Sequence, residues 1–230
     1  MTSQQGISGE YGEEVPIQDS SPDLLEKVAG QEVRPPTFER SGGLRTAVIV
    51  TAVLYIAGNW LSTPVTSLLI ASGTPGAFIA YNVWVALLLF VAIVNFVFVG
   101  CWLGRARRNA DRIAPDQQRL SSVWVWLGWI VPIVNFWFPK QVIDDVWRST
   151  VGDPAEPRTG WWWGTFITAE VLIWFRGLFA TVLGSIGPVV IWVLAAAMMT
   201  VAGILWIRVV RTISDAQDAL AGPVAVSYQA

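Results

Sequence analysis

Five stretches of this chain are dominated by apolar residues, and they differ in length and in how they are interrupted. The first, residues 44–71 (LRTAVIVTAVLYIAGNWLSTPVTSLLIA), has 28 residues. At 1.5 Å per residue it would extend about 42 Å as a helix, enough to cross a bilayer with tilt. Pro64 lies two-thirds along it, predicting a kink, and Ser62, Thr63 and Thr66 can satisfy the backbone groups that a proline frees. SGTPG (72–76) is a turn rich in helix breakers. The second run, 78–103, has no proline, glycine or charge before Gly100 and predicts a continuous spanning helix. The fourth and fifth, 161–184 and 187–210, are separated by Ser185 and Ile186 and predict a helical hairpin. Pro188 falls in the first turn of its second arm, a position proline favours. Ala195, Ala196, Ala197 and Gly203 would let that arm pack closely on a neighbour.

The third run, 122–139, is the ambiguous one. Its apolar core is about 17 residues, the lower limit for a crossing, and Gly128, Pro132 and Pro139 interrupt it. It also resembles part of the second run: VWVALLLFVAIVNFVF (83–98) and VWVWLGWIVPIVNFWF (123–138) agree at ten of sixteen positions. Proline replaces Ala92 at Pro132 and Val99 at Pro139, so the same apolar spacing predicts a continuous helix in one copy and a broken element in the other. An ancient duplication is the alternative to a shared membrane vocabulary.

Beyond Pro139, KQVIDDVWRST places Val142, Ile143, Val146 and Trp147 on one helical face and Asp144, Asp145 and Arg148 on the other. That pattern predicts an interfacial amphipathic helix. Trp124, Trp126, Trp129, Trp137 and Trp161–Trp163 around it suit an aromatic belt at headgroup level.

Charge then decides the path. Arg105, Arg107, Arg108, Arg112 and Arg119 precede the third run; Lys140, Arg148 and Arg158 follow it; Arg208 and Arg211 end the fifth; Arg40 and Arg45 flank the first. Basic flanks stay cytoplasmic. A fully spanning third run would export Lys140, Arg148, Arg158, Arg208 and Arg211, whereas a segment that dips and returns exports none. The expected fold is an all-α membrane protein with four transmembrane helices (44–71, 78–103, 161–184, 187–210). A proline-broken re-entrant or interfacial segment occupies 122–150, and both termini are cytoplasmic. The expected setting is multi-pass in a bacterial cytoplasmic membrane.

Composition agrees. The chain has 230 residues, 53% of them hydrophobic and 14% charged, where a soluble domain carries nearer a quarter charged. Eight of the 17 acids lie in residues 1–40 and only Lys27, Arg34 and Arg40 oppose them there, so this segment reads as a disordered acidic N-terminal tail. Within it SSPDLLEKV suggests a capped helical turn, either a docking peptide or fleeting structure. No secretory signal is expected from this acidic start. Residues 41–213 form the helical membrane domain and 214–230 a C-terminal cytoplasmic tail. Histidine is absent and Cys101 is the only cysteine, which speaks against a metal site, an intramolecular disulfide and the commonest acid–base residue. Cys101 is expected to be a buried packing residue. Thirteen arginines against two lysines, with abundant Ala, Val and Gly, hint at a GC-rich bacterial genome.

WLGRARRNA (102–110), GWIVPIVNFWFPKQVIDDVWRST (128–150) and the WWW that opens the fourth run together resemble the domain of unknown function 4328 family, bacterial and largely actinobacterial membrane proteins. The resemblance covers roughly 44–212. Its most specific part is the pattern on Gly128, Trp129, Pro132, Asn135, Pro139 and Trp147. It implies a multi-helix membrane domain and supplies no activity or catalytic residue.

Candidate chemistry is sparse. Glu170 lies nine residues into the fourth run, about 14 Å deep. Arg176 follows six residues later, roughly 120° around the helix, so the two do not face each other. Intramembrane ionisable groups are costly and mark function by default. The readings of Glu170 are a proton- or cation-linked role or a structural one, hydrogen-bonded to a group such as Asn95 or Asn135. Arg176 would pair with Glu170 of another protomer or reach outward to the interface. Asn59, Asn82, Asn95 and Asn135 are candidates for hydrogen bonds between helices, with Asn135 placed to cap groups freed at Pro132. Arg105, Arg107, Arg108 and Arg112 serve topology and anionic headgroups rather than nucleic acid. No cofactor and no catalytic set is expected. The leading expectation is a non-enzymatic scaffold or regulatory subunit with a protein partner or homo-oligomeric assembly. The alternative is a small oligomeric transporter or channel subunit with Glu170 and Arg176 lining a polar path.

Overall fold

The computed structural model describes residues 37–152 and 158–222, and every described element is helical. The acidic segment 1–36, with its suggested helical turn, and residues 223–230 lie outside the described residues. Helix α1 is Gly42–Ser72 and α2 is Pro75–Ile113. The turn between them is made by Gly73, whose φ of 58° is the left-handed conformation glycine tolerates, and by Pro75 in the first turn of α2. Pro64 sits inside α1 without ending it. Helix α3 is Trp124–Ile130, α4 is Phe138–Val151, α5 is Arg158–Trp174, α6 is Arg176–Leu183 and α7 is Gly187–Leu220. Three of these, α1, α2 and α7, are long and apolar enough to cross a membrane.

The fourth apolar run is therefore two helices, not the single one expected. It breaks at Phe175 (φ −95°, ψ 10°), beside the helix-weakening Gly177. Two boundaries also move outward. The basic stretch after Trp102 continues α2 to Ile113, and residues 214–220, assigned above to a tail, complete α7.

Helices α1 and α7 pack together; α2 lies against α1, and α5 and α6 lie against α7. The apolar core sits at the end of the bundle where α2 and α7 terminate. It comprises Trp102, Leu103, Ala106 and Ala110 of α2, Val209, Val210 and Ile213 of α7, and Val142, Ile143, Val146 and Trp147 of α4. The apolar face of α4 is thus buried against α2 and α7, where the periodicity alone suggested a helix lying on the lipid interface. Its acidic face is covered as well, since Asp144 and Asp145 are both buried. Tryptophans reinforce this core. Trp206 stacks on Trp162 at 4.8 Å between ring centroids and meets Trp102 edge-on at 5.5 Å. Trp161, Trp126 and Trp137 remain exposed, but Trp162 and Trp163 are interior, not part of a belt. Cys101 is exposed on α2, contrary to the expectation of burial.

Candidate functional site

The two copies of the IVNF word do different things. Asn95 stands in mid-α2, and its side-chain oxygen accepts a hydrogen bond from the Thr51 hydroxyl of α1 at 3.0 Å. Around Asn135 the helix is broken, with a single tight helical turn at Val134–Phe136 between α3 and α4. The chain doubles back there: a β-carbon added at Gly128 would lie 3.4 Å from that of Phe138, ten residues on, where a straight helix would separate them by about 15 Å. Trp163 of α5 donates its indole N–H to the Phe136 carbonyl at 2.8 Å and so satisfies one backbone group that the break frees. Asn135 does not supply that capping with its side-chain oxygen, which is buried without a partner. Gly100 explains how α3 reaches α2: a β-carbon there would fall 2.3 Å from the Trp126 ring, so glycine admits the approach. Trp129 packs edge-on against Trp163, Pro132 is exposed at the reversal, and Pro139 and Trp147 are buried.

Residues 37–41, most of which the sequence pattern assigned to the disordered tail, form a strap across the ends of α2 and α7. Asn109, fully buried, accepts the Glu39 backbone N–H at 2.9 Å and donates to the Glu39 carbonyl at 2.8 Å. It also donates to Gln217 of α7 at 3.0 Å, and Gln217 donates in turn to the Ala106 carbonyl at 2.8 Å and the Thr150 hydroxyl at 3.0 Å. One amide pair therefore joins the strap, α2, α4 and α7. The Ser41 backbone N–H and hydroxyl both donate to Asp218, and Arg45 pairs with Asp215.

Three of the four arginines assigned to headgroup contact converge on the strap. Arg108 grips both Glu39 carboxylate oxygens, at 3.1 and 2.8 Å, while Arg105 and Arg112 lie 3.4 Å from them. Arg107 is buried and donates to the Leu120 carbonyl. The Arg108 hydrogen bonds hold Glu39 below the usual carboxylate range; partial burial opposes this, and the charges of Arg112 and Arg105 add to it. A carboxylate with a depressed folded value contributes stability above its unfolded pKa, about 4.3, and loses it as pH falls through the folded value. The clamp is thus fully formed at neutral pH. On the other side of α4, Asp145 accepts the Arg119 backbone N–H at 3.0 Å and its guanidinium at 2.7 Å, fixing the loop that follows α2.

The intramembrane candidates separate. Glu170 and Arg176 form no ion pair; the Trp174 indole is the hydrogen-bond partner of Glu170, and Tyr55 of α1 lies within its electrostatic reach. Arg176 instead lines a cavity of about 540 Å³ between α1, α2, α6 and α7, together with Asn59, Ser62, Thr63, Thr66 and Tyr81. Nearer the strap a second, apolar cavity of about 200 Å³ is lined by Ala52, Tyr55, Ala92, Asn95, Trp129 and Trp206, among others. Of the four asparagines, Asn95 alone bonds through its side chain to another helix; Asn59 and Asn82 turn back onto their own helices at Tyr55 and Phe78. The strap was hidden in the sequence because five residues of mixed polarity carry no period. The cavity was hidden because its hydroxyls are spread over two helices and face an arginine on a third.

A family model described as Domain of unknown function (DUF4328) matches residues 73–215, from the start of α2 into the last turns of α7. The match contains the broken element, the arginine cluster and the α2, α5 and α7 walls of both cavities, and leaves α1 and the strap outside it. No curated protein and no solved structure matches the chain. Because that match spans more than half of the sequence and includes the proline-broken Trp/Asn element that distinguishes the fold, this chain belongs to the DUF4328 family.

Proposed function

We propose that the protein is a non-enzymatic scaffold or regulatory subunit of the bacterial plasma membrane, engaging a protein partner at the strap end. In this reading α1, α2, the α5–α6 pair and α7 cross the bilayer, making four crossings. Both termini are cytoplasmic, and α3–α4 enters and leaves on that side. The basic flanks support the orientation, and the doubling back at Gly128 and Phe138 supports the dip. The observation that carries the functional reading is the strap itself. Buried Asn109 and three arginines spend their bonding capacity on rooting residues 37–41, which the acidic segment 1–36 precedes in sequence. The acidic segment 1–36 and exposed Arg208 and Arg211 offer a partner charges of both signs.

Crosslinking in the native membrane, followed by purification and mass-spectrometric identification, tests this. The wild-type chain should recover a protein that is lost when Glu10, Glu13 and Glu14 are changed to glutamine. Recovery of the same protein by both chains contradicts the reading. So does lipid hydrolysis or transfer by the purified protein that Glu170→Gln abolishes. The transporter reading finds support in the polar cavity at Arg176, and solute flux in proteoliposomes that Glu170→Gln abolishes would favour it.

A further inference from the structure

Arg176 has no acidic partner and no hydrogen bond among the described residues, although it stands about 12 Å along α6 and its turn from Gly184, within membrane depth. An unpaired guanidinium at such a depth is costly and calls for a counter-charge. The cavity it lines is otherwise furnished with neutral donors: the hydroxyls of Ser62, Thr63, Thr66 and Tyr81, and the Trp84 indole N–H, which is buried without a partner. The described lining contains no acid. This chemistry selects an anion with several acceptor oxygens.

The neighbouring cavity is apolar. Helices α1, α2, α5 and α7 each contribute to both cavities, so the polar one and the apolar one lie at successive levels of the same four helices. From Thr63, beside the polar cavity, to Ala52 at the apolar end is 11 residues of α1, about 16 Å. Glu170 lies on the α5 face between Phe166 and Ile173, which line the two cavities, but lines neither, its carboxylate being bonded to Trp174.

We propose that this pair of cavities binds an anionic single-chain amphiphile, with its phosphate or carboxylate head on Arg176 and its tail lying toward Trp129 and Trp206. Charge complementarity at one end and an apolar cavity within acyl reach of it, about 16 Å along α1, select this occupant over a free anion or a neutral lipid. The site is independent of the partner surface at the strap end.

The full chain, purified in maltoside micelles, is titrated with lauroyl lysophosphatidylglycerol, with lauroyl lysophosphatidylcholine, and with inorganic phosphate. Tryptophan fluorescence reports binding and native mass spectrometry reports stoichiometry. The expected result is one lysophosphatidylglycerol per chain, bound at least about tenfold tighter than the choline lipid, as loss of a charged hydrogen bond would give. Arg176→Gln should remove that preference and Arg176→Lys should retain part of it, both with an unchanged near-ultraviolet circular dichroism spectrum. Ala92→Phe, which fills the apolar end, should weaken binding with Arg176 intact and keeps the question answerable should Arg176→Gln fail to fold. Equal affinity of wild type and Arg176→Gln for lysophosphatidylglycerol overturns the proposal. Phosphate binding as tightly as the lysolipid overturns the amphiphile and leaves a simple anion site.

Discussion

Replacing Asn109 with leucine should lower the stability of the bundle by about 2–4 kcal/mol, since it strands the Gln217 side-chain oxygen and both Glu39 backbone groups in a buried site. The melting temperature in detergent should fall by on the order of 10 °C. A nitroxide on Thr37→Cys, in a Cys101→Ser background, reports the strap directly. Its spectrum should be immobilised in the wild type at neutral pH and mobile in Asn109→Leu. Because the folded Glu39 carboxylate titrates below its unfolded value, the wild-type spectrum should stay immobile on acidification until pH falls below about 4.3. An immobile label in Asn109→Leu, with an unchanged melting temperature, would show that the amide pair does not hold the strap. Glu39 itself is a weaker handle. Its pairs with Arg105, Arg108 and Arg112 are partly solvated, and exposed pairs contribute at most about 1 kcal/mol.

The second large effect is expected at Asp145. Its carboxylate is fully buried, receives the Arg119 backbone N–H and guanidinium, and has Arg148 3.6 Å away. Asp145→Ala should cost about 3 kcal/mol, the low end for breaking a buried pair, because Arg119 remains half in solvent. The loss should be local in its first symptom: the loop after α2 is freed, and trypsin should cut at Arg119 faster than in the wild type. Asp145→Asn, which preserves shape and one acceptor, should lose less than half as much. Equal cleavage rates in all three proteins would mean that the loop is held by the Arg107 bond to Leu120 and not by Asp145.

Periodicity and breakers made the helices legible. Pro75 and Pro188 begin two of them, and Pro132 and Pro139 mark the broken element where the structure has it. The same pattern could not tell lipid from protein as the partner of an apolar face. Val142, Ile143, Val146 and Trp147 therefore read as interfacial when they are core, and Cys101 read as buried when it is exposed. The break at Phe175 left little trace, for Gly177 is a weak signal inside an otherwise apolar run. Among the candidate site residues, sequence singled out Arg176 by cost alone. That it faces hydroxyls from α1 and α2, and not Glu170, depends on which helices are neighbours, which no local pattern records. Long-range polar partners such as Asn109 and Gln217, 108 positions apart, are invisible for the same reason.

The proposed topology rests on α3 and α4 doubling back, which would let the chain leave this element on the side from which it entered. Reporter fusions after Gly73, Gly152 and Gly184, compared with one at the C-terminus, measure this directly. The Gly152 fusion should report the same side as the C-terminus, and the Gly73 and Gly184 fusions the opposite side. A Gly152 fusion that reports with Gly73 would mean that the broken element crosses the bilayer, and would contradict the account.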